Sequence, residues 1–140
     1  MKKTIAVFIA LVTLIFSSSI ASAAELQPYA SLTLSRHYAE AFSGDKSGEI
    51  IIEYNVEATK PSSTLGVETI DFYTEDGDHV ASVTGTTSNG LVRVSTTVHN
   101  SDFHYNLPSG NHYYAEVTVF ARVGSEYDSR TITTSTVWVS

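Results

Sequence analysis

Cysteine is absent from the 140-residue chain, which excludes a disulfide framework, a thiolate metal site, a catalytic thiol and a lipoprotein anchor. Stability therefore has to come from packing. Basic residues are scarce, with eight Lys and Arg against fifteen Asp and Glu. No Asn-x-Ser/Thr sequon occurs, and no window beyond the N-terminal segment carries the three-and-four spacing of a long amphipathic helix. The one long apolar run, Ile5 to Phe16, is shorter than the roughly 20 residues that a membrane-spanning helix needs.

That run follows Lys2 and Lys3 and precedes the small-residue stretch Ala21-Ser22-Ala23. These are the three parts of a secretory signal, with cleavage before Ala24. Residues 24–140 then form one domain of 117 residues, long enough for a core of its own. The expected destination is the medium, or the periplasm where there is an outer membrane, and an export signal without cysteine or sequons fits a bacterial source. With Lys2 and Lys3 removed, six basic residues face fifteen acidic ones, and no two basic residues are adjacent. Such a surface repels phosphate, so nucleic acid and anionic lipid are not expected partners. The chain stops one residue after a strand pattern, and no C-terminal anchor is expected.

Period-two patterning fills the rest. Ile50, Ile52, Tyr54, Val56 and Ala58 share one face and Glu49, Ile51, Glu53, Asn55 and Glu57 the other; consecutive β-branched residues argue against a helix there. Tyr113, Ala115, Val117, Val119 and Ala121 repeat the pattern, with Tyr114, Glu116, Thr118, Phe120 and Arg122 opposite. Further strands are expected at Tyr29–Ser35, Val67–Thr74 with Ile70 and Phe72 inward, Val80–Thr84, Leu91–Val98 with Val92, Val94 and Val98 inward, and Ser129–Val139. Turn chemistry separates them: Ser43 to Gly48, Lys60-Pro61-Ser62-Ser63, Ser88-Asn89-Gly90, Pro108-Ser109-Gly110, and a type I′ hairpin at Asp76-Gly77. Tyr38 to Phe42 is expected to form a turn. About seven strands at this spacing predict an all-β fold, a single antiparallel β-sandwich.

Residues 107–121 read Leu-x-x-Gly-x-x-Tyr-x-Ala-x-Val-x-Val-x-Ala. This resembles the sixth strand of fibronectin type III and related immunoglobulin-like domains. The resemblance implies a tyrosine corner at Tyr113, a structural residue whose hydroxyl hydrogen-bonds upstream backbone, with Leu107 packed below. The cysteine pair of antibody domains and the second-strand tryptophan of fibronectin type III domains are missing, and Trp138 is in the last strand instead. Leu65 to Tyr73 together with the later Gly-x-x-Tyr strand is also similar to a family of small exported bacterial domains with no assigned function. That likeness implies a β-sandwich and no established activity.

Four candidate sites carry chemistry. Asp76-Gly77-Asp78 after Glu75 clusters oxygen ligands but lacks the third alternating acid and the bidentate glutamate of an EF-hand, so a hairpin turn is expected there rather than calcium. His99, Asp102, His104 and His112 fall within fourteen positions without the tight spacing of a zinc site, and solvated loop histidines are expected. Ser, His and Asp occur without a Gly-x-Ser-x-Gly elbow, and no carboxylate pair stands in an apolar context, so neither a catalytic triad nor a glycosidase is expected. No cofactor or metal is expected. Tyr114 and Phe120 point outward if Tyr113 points inward, and Tyr73 on the neighbouring strand joins them. Three aromatics on one sheet face suit a glycan, a cell-wall polymer or a protein partner. The expected function is a non-enzymatic binding module using Tyr73, Tyr114 and Phe120. The alternative is a self-associating structural or surface component, with the Thr-rich last strand as an edge; a small hydrolase comes last.

Overall fold

A computed structural model describes residues 33–140. The signal segment, its cleavage site and the start of the first expected strand, residues 29–32, lie outside the described residues. The fold is all-β, one curled antiparallel sheet of seven strands: β1 (Leu34–Ser43), β2 (Glu49–Thr74), β3 (His79–Thr84), β4 (Val92–Asn106), β5 (Asn111–Val123), β6 (Glu126–Thr133) and β7 (Val137–Val139).

The 26-residue β2 organises the sheet. Its first half pairs with β1 on one side and β4 on the other, and its second half pairs with β5 and β3. The expected turn at Lys60-Pro61-Ser62-Ser63 does not form; the strand runs through it. Pairing with β4 jumps from Glu57↔Val98 to Ser62↔Thr96, and pairing with β5 begins only at Thr64. Among the described residues Pro61 thus has no ladder partner, the position a strand proline tolerates. Two expected strands are therefore one. Conversely, the expected strand over Ser129–Val139 is two, β6 and β7, both on the same edge of β5. Thr134 makes the break: its N–H donates to the Ala115 carbonyl at 2.9 Å, while its hydroxyl accepts the Ala115 N–H at 3.0 Å.

Inward residues alternate as a half-buried strand requires. Ile50, Ile52, Tyr54 and Val56 are buried from the first half of β2, and Leu65 and Val67 from the middle. A bulge at Glu68, where Val67 and Thr69 face consecutive β5 residues, then flips the parity so that Ile70 and Phe72 turn inward. Tyr113, Ala115, Val117, Val119 and Ala121 from β5 complete a single cluster with them. Gly66 lies where three strands meet, opposite Val92 and Phe120. Its φ is +149°, and a Cβ there would run into the Leu91 carbonyl, so only glycine fits.

Three expectations about local structure fail. Tyr38 to Phe42 belongs to β1 and forms no turn. Val92 is buried as expected, but Val94 and Val98 are exposed, whereas Leu91 and His99 are buried; Ser95, at φ +52°, and the register jump between Thr96 and Val98 separate Val98 from the period of Val92. The Asp76-Gly77 hairpin is not type I′, which needs two positive φ angles. Only Gly77 is positive, at +92°, and a Gly77 N–H to Thr74 carbonyl bond of 2.9 Å closes the turn one residue earlier.

The curl brings β1 near β6 and β7. Asp128 accepts the Leu34 N–H at 3.3 Å, Glu40 accepts the Ser135 N–H at 2.8 Å, and the Gly48 N–H donates to the Ser140 carbonyl at 2.7 Å.

Candidate ligand-facing surfaces

Tyr73 and Tyr114 are directly opposed on β2 and β5. Their rings stack at 5.3 Å and 15°, and His79 meets Tyr73 edge-on at 5.3 Å. Partial burial first, then the neighbouring Glu116 and Asp71 carboxylates, push the Tyr73 phenol above its ordinary value. The third expected member is elsewhere. Phe120 is 8% exposed and lies six residues from Tyr114, about 20 Å along an extended strand. It faces Gly66 and stacks on Tyr127 at 6.0 Å, so a cross-strand glycine leaves room for the ring and a neighbouring tyrosine covers it. Tyr127 is itself held by Glu68 at 2.6 Å and by the Arg122 guanidinium 5.1 Å above its ring. The expected three-aromatic face is thus two separate clusters.

Beside the Tyr73–Tyr114 stack lies a polar chain. His79 Nε2 is 2.8 Å from Ser82 Oγ, Ser82 Oγ donates to Asp71, and the same His79 nitrogen is 3.6 Å from Asp71. Serine and aspartate share one ring nitrogen. A nucleophile relay needs the histidine between them, with one partner on each nitrogen, so this geometry positions hydrogen-bonding groups rather than activating a hydroxyl.

Tyr113 is buried, and its hydroxyl donates to the Pro108 carbonyl at 2.8 Å, with Leu107 also buried. The Asp76-Gly77-Asp78 turn is exposed and closed by backbone bonds. No group of three or more His, Cys, Asp or Glu stands close enough to hold a metal among the described residues.

The histidines expected in a loop lie on strands. His99, on β4, is 1% exposed. Its Nε2 is 2.8 Å from the Gly90 carbonyl and 3.0 Å from the Tyr54 hydroxyl, while its Nδ1 is buried with no hydrogen-bond partner. Burial holds its pKa below the usual histidine value. His104, five residues on, is half-exposed and bridges two acids, Glu49 and Asp102, each at 3.0 Å. Its hydrogen bonds to Glu49 and then Asp102 raise its pKa, and His104 in turn holds both carboxyls below their ordinary range. His112 stands apart, 3.7 Å from Glu75 and edge-on to Trp138 at 4.9 Å.

An open groove of about 340 Å³ crosses the solvent side of β1, the first half of β2 and β4, lined by Tyr38, Glu53, Asn55, Asn100, Ser101 and Asp102 among others. Tyr38, Asn55 and Asn100 form one cross-strand row, and Glu53 and Asp102 lie in the next. The sequence pattern left this groove unseen: with residues 38–42 taken as a turn, nothing placed Tyr38 beside Asn55. The outward alternation of Glu53 and Asn55 was the available signal.

No protein-family model matches the chain, and no curated protein matches it. Among solved structures, a β-glucuronidase of Parabacteroides merdae with glycerol in its active site is similar at a TM-score of 0.41 and 13% identity, over 71% of this chain and 13% of that enzyme. The chain thus spans about one-eighth of the length of that structure.

Proposed function

We propose that this protein is an exported, non-enzymatic recognition module, released to the medium or periplasm, that binds a glycan, a cell-wall polymer or a protein through its surface. The curl of the sheet is read as the two layers of an immunoglobulin-like or fibronectin type III-like sandwich, with β1, the first half of β2 and β4 in one layer. The second half of β2 with β3, β5 and β6 forms the other. The Tyr113 to Pro108 bond of 2.8 Å supports the same reading.

The observation that carries the recognition reading is the Tyr73–Tyr114 stack flanked by Asp71, Ser82 and His79. Aromatic area beside fixed polar groups is the composition of a contact surface. Phe120, covered by Tyr127, is left out of the site. Binding to immobilised glycans, peptidoglycan and mucin tests it: Tyr73→Ala with Tyr114→Ala should weaken capture while the melting curve keeps a single transition. Capture unchanged in that variant would remove these residues from the site.

Self-association is the second reading, favoured by one feature. Among the described residues β6 ends the strand order β1-β2-β5-β6 and carries Thr131 and Thr133. Light scattering that shows one monomer mass across concentrations would exclude it.

A further inference from the structure

We propose that the groove over β1, the first half of β2 and β4 is a binding subsite for a neutral sugar ring, with Tyr38 as the stacking surface and Glu53, Asn55 and Asp102 as acceptors for its hydroxyls. The site is separate from the Tyr73–Tyr114 face and rests on the recognition reading only in taking ligand binding as the protein's work.

Ring availability is the first argument. Tyr73 and Tyr114 cover one face of each other, and Phe120 is buried under Tyr127. Tyr38 is 47% exposed and has no ring contact among the described residues. It therefore offers an open aromatic face, which the C–H side of a pyranose stacks on.

The second argument is the hydrogen-bonding set. Glu53 has no hydrogen-bond or ion-pair partner among the described residues. Asp102, which lines the groove, gives Oδ2 to His104. The Asn55 amide nitrogen donates to Glu57 at 2.9 Å, so its carbonyl oxygen is left to accept. The groove thus presents fixed acceptors, and sugar hydroxyls are donors that need them. Rows two residues apart on a strand are about 7 Å apart, and neighbouring strands about 4.8 Å, so one ring can touch both rows.

Charge selects within the class. No Lys or Arg lines the groove, and two carboxylates do, so uronic, sialic or sulfated sugars are repelled. A bare divalent cation is poorly served, since only two carboxylates face the groove and no metal-competent group of three occurs among the described residues.

The test is titration of the purified protein, followed by amide shifts, with cello-, manno- and chito-oligosaccharides at millimolar concentration and a glucuronate-containing oligosaccharide alongside. The expected result is saturable binding of a neutral oligosaccharide, weakened about tenfold by Tyr38→Ala and by Glu53→Gln, unchanged melting temperature, and no new reducing ends. Absence of neutral-sugar binding, preference for the anionic sugar, cleavage, or binding that survives both substitutions would each overturn it. Tyr73→Ala with Tyr114→Ala separates the two sites. Glycan binding lost in that variant but kept in Tyr38→Ala sinks the groove and leaves the recognition reading standing; the reverse keeps the groove and removes the Tyr73 face.

Discussion

The two ends of β2 hold the same core and present opposite exteriors. Around its first half, the solvent side carries carboxylates, amides and histidine, tied by His104 between Glu49 and Asp102. Around its second half, the outer side carries rings in contact, Tyr73 on Tyr114 and Phe120 under Tyr127. Aromatic rings that stack on each other across strands stabilise the sheet by cross-strand pairing and lose surface in doing so. At the other end the polar side chains are tied in part, through His104 and through the Asn55 to Glu57 bond, while the Tyr38 ring stays 47% exposed. The two ends of β2 thus offer a partner different surfaces, a half-covered aromatic stack at one and a polar groove at the other.

Removing a core side chain from each end tests whether the halves are one cooperative unit. Ile52→Ala in the first half and Phe72→Ala in the second, both 0% exposed, should each cost about 3–5 kcal/mol in denaturant titration, with a single transition at both tryptophan fluorescence and far-UV dichroism. A biphasic curve for either variant would show that the halves unfold separately and would break the comparison at its root.

The two histidines of β4 sharpen it further, because they pull stability in opposite directions with pH. His99 is kept neutral in the fold by burial, so the unfolded chain takes up the proton first. Its contribution is intact above about pH 6.5 and declines as pH falls below that. His104 gains from its two acids, so its contribution is full below about pH 6.5 and is lost as pH rises through the raised folded value. Denaturation midpoints between pH 5 and 8 should show His99→Phe flattening the acid-side decline and His104→Ala flattening the loss toward alkaline pH. The same slope in both variants would contradict these assignments. The smallest effect expected is for Tyr113→Phe, about 1 kcal/mol for one hydroxyl bonded to a turn carbonyl; a denaturation midpoint equal to that of the unmodified protein would show that the bond is no help to the fold.

How much of this was legible in the sequence depended on whether period two survived locally. Over Ile50–Ala58 and Tyr113–Ala121 it did, and the inward residues were identified correctly, as was the pairing of Tyr73's strand with that of Tyr114. Over Leu91–Val98 it held for Val92 alone: the left-handed Ser95 and the register jump before Val98 break the period, and no neighbouring residue signals either. Proline reads as a terminator at Pro61, although a strand position without a ladder partner among the described residues accepts it equally well. Phe120 was placed on the correct face by parity, but parity says nothing of a tyrosine from the next strand lying over it. The buried polar contact of His99 with Tyr54 joins residues 45 apart and depends on tertiary packing alone.

The kink at Ser95 has a further consequence. β4 is fifteen residues long and, among the described residues, pairs on one side only, which by itself is a template on which another chain could add strand upon strand. Its left-handed residue, and the jump in its register against β2, break that template into two short, misaligned segments. The irregularity that breaks the sequence pattern thus blunts an edge in a protein without disulfides, and the net charge of −7 adds repulsion between copies.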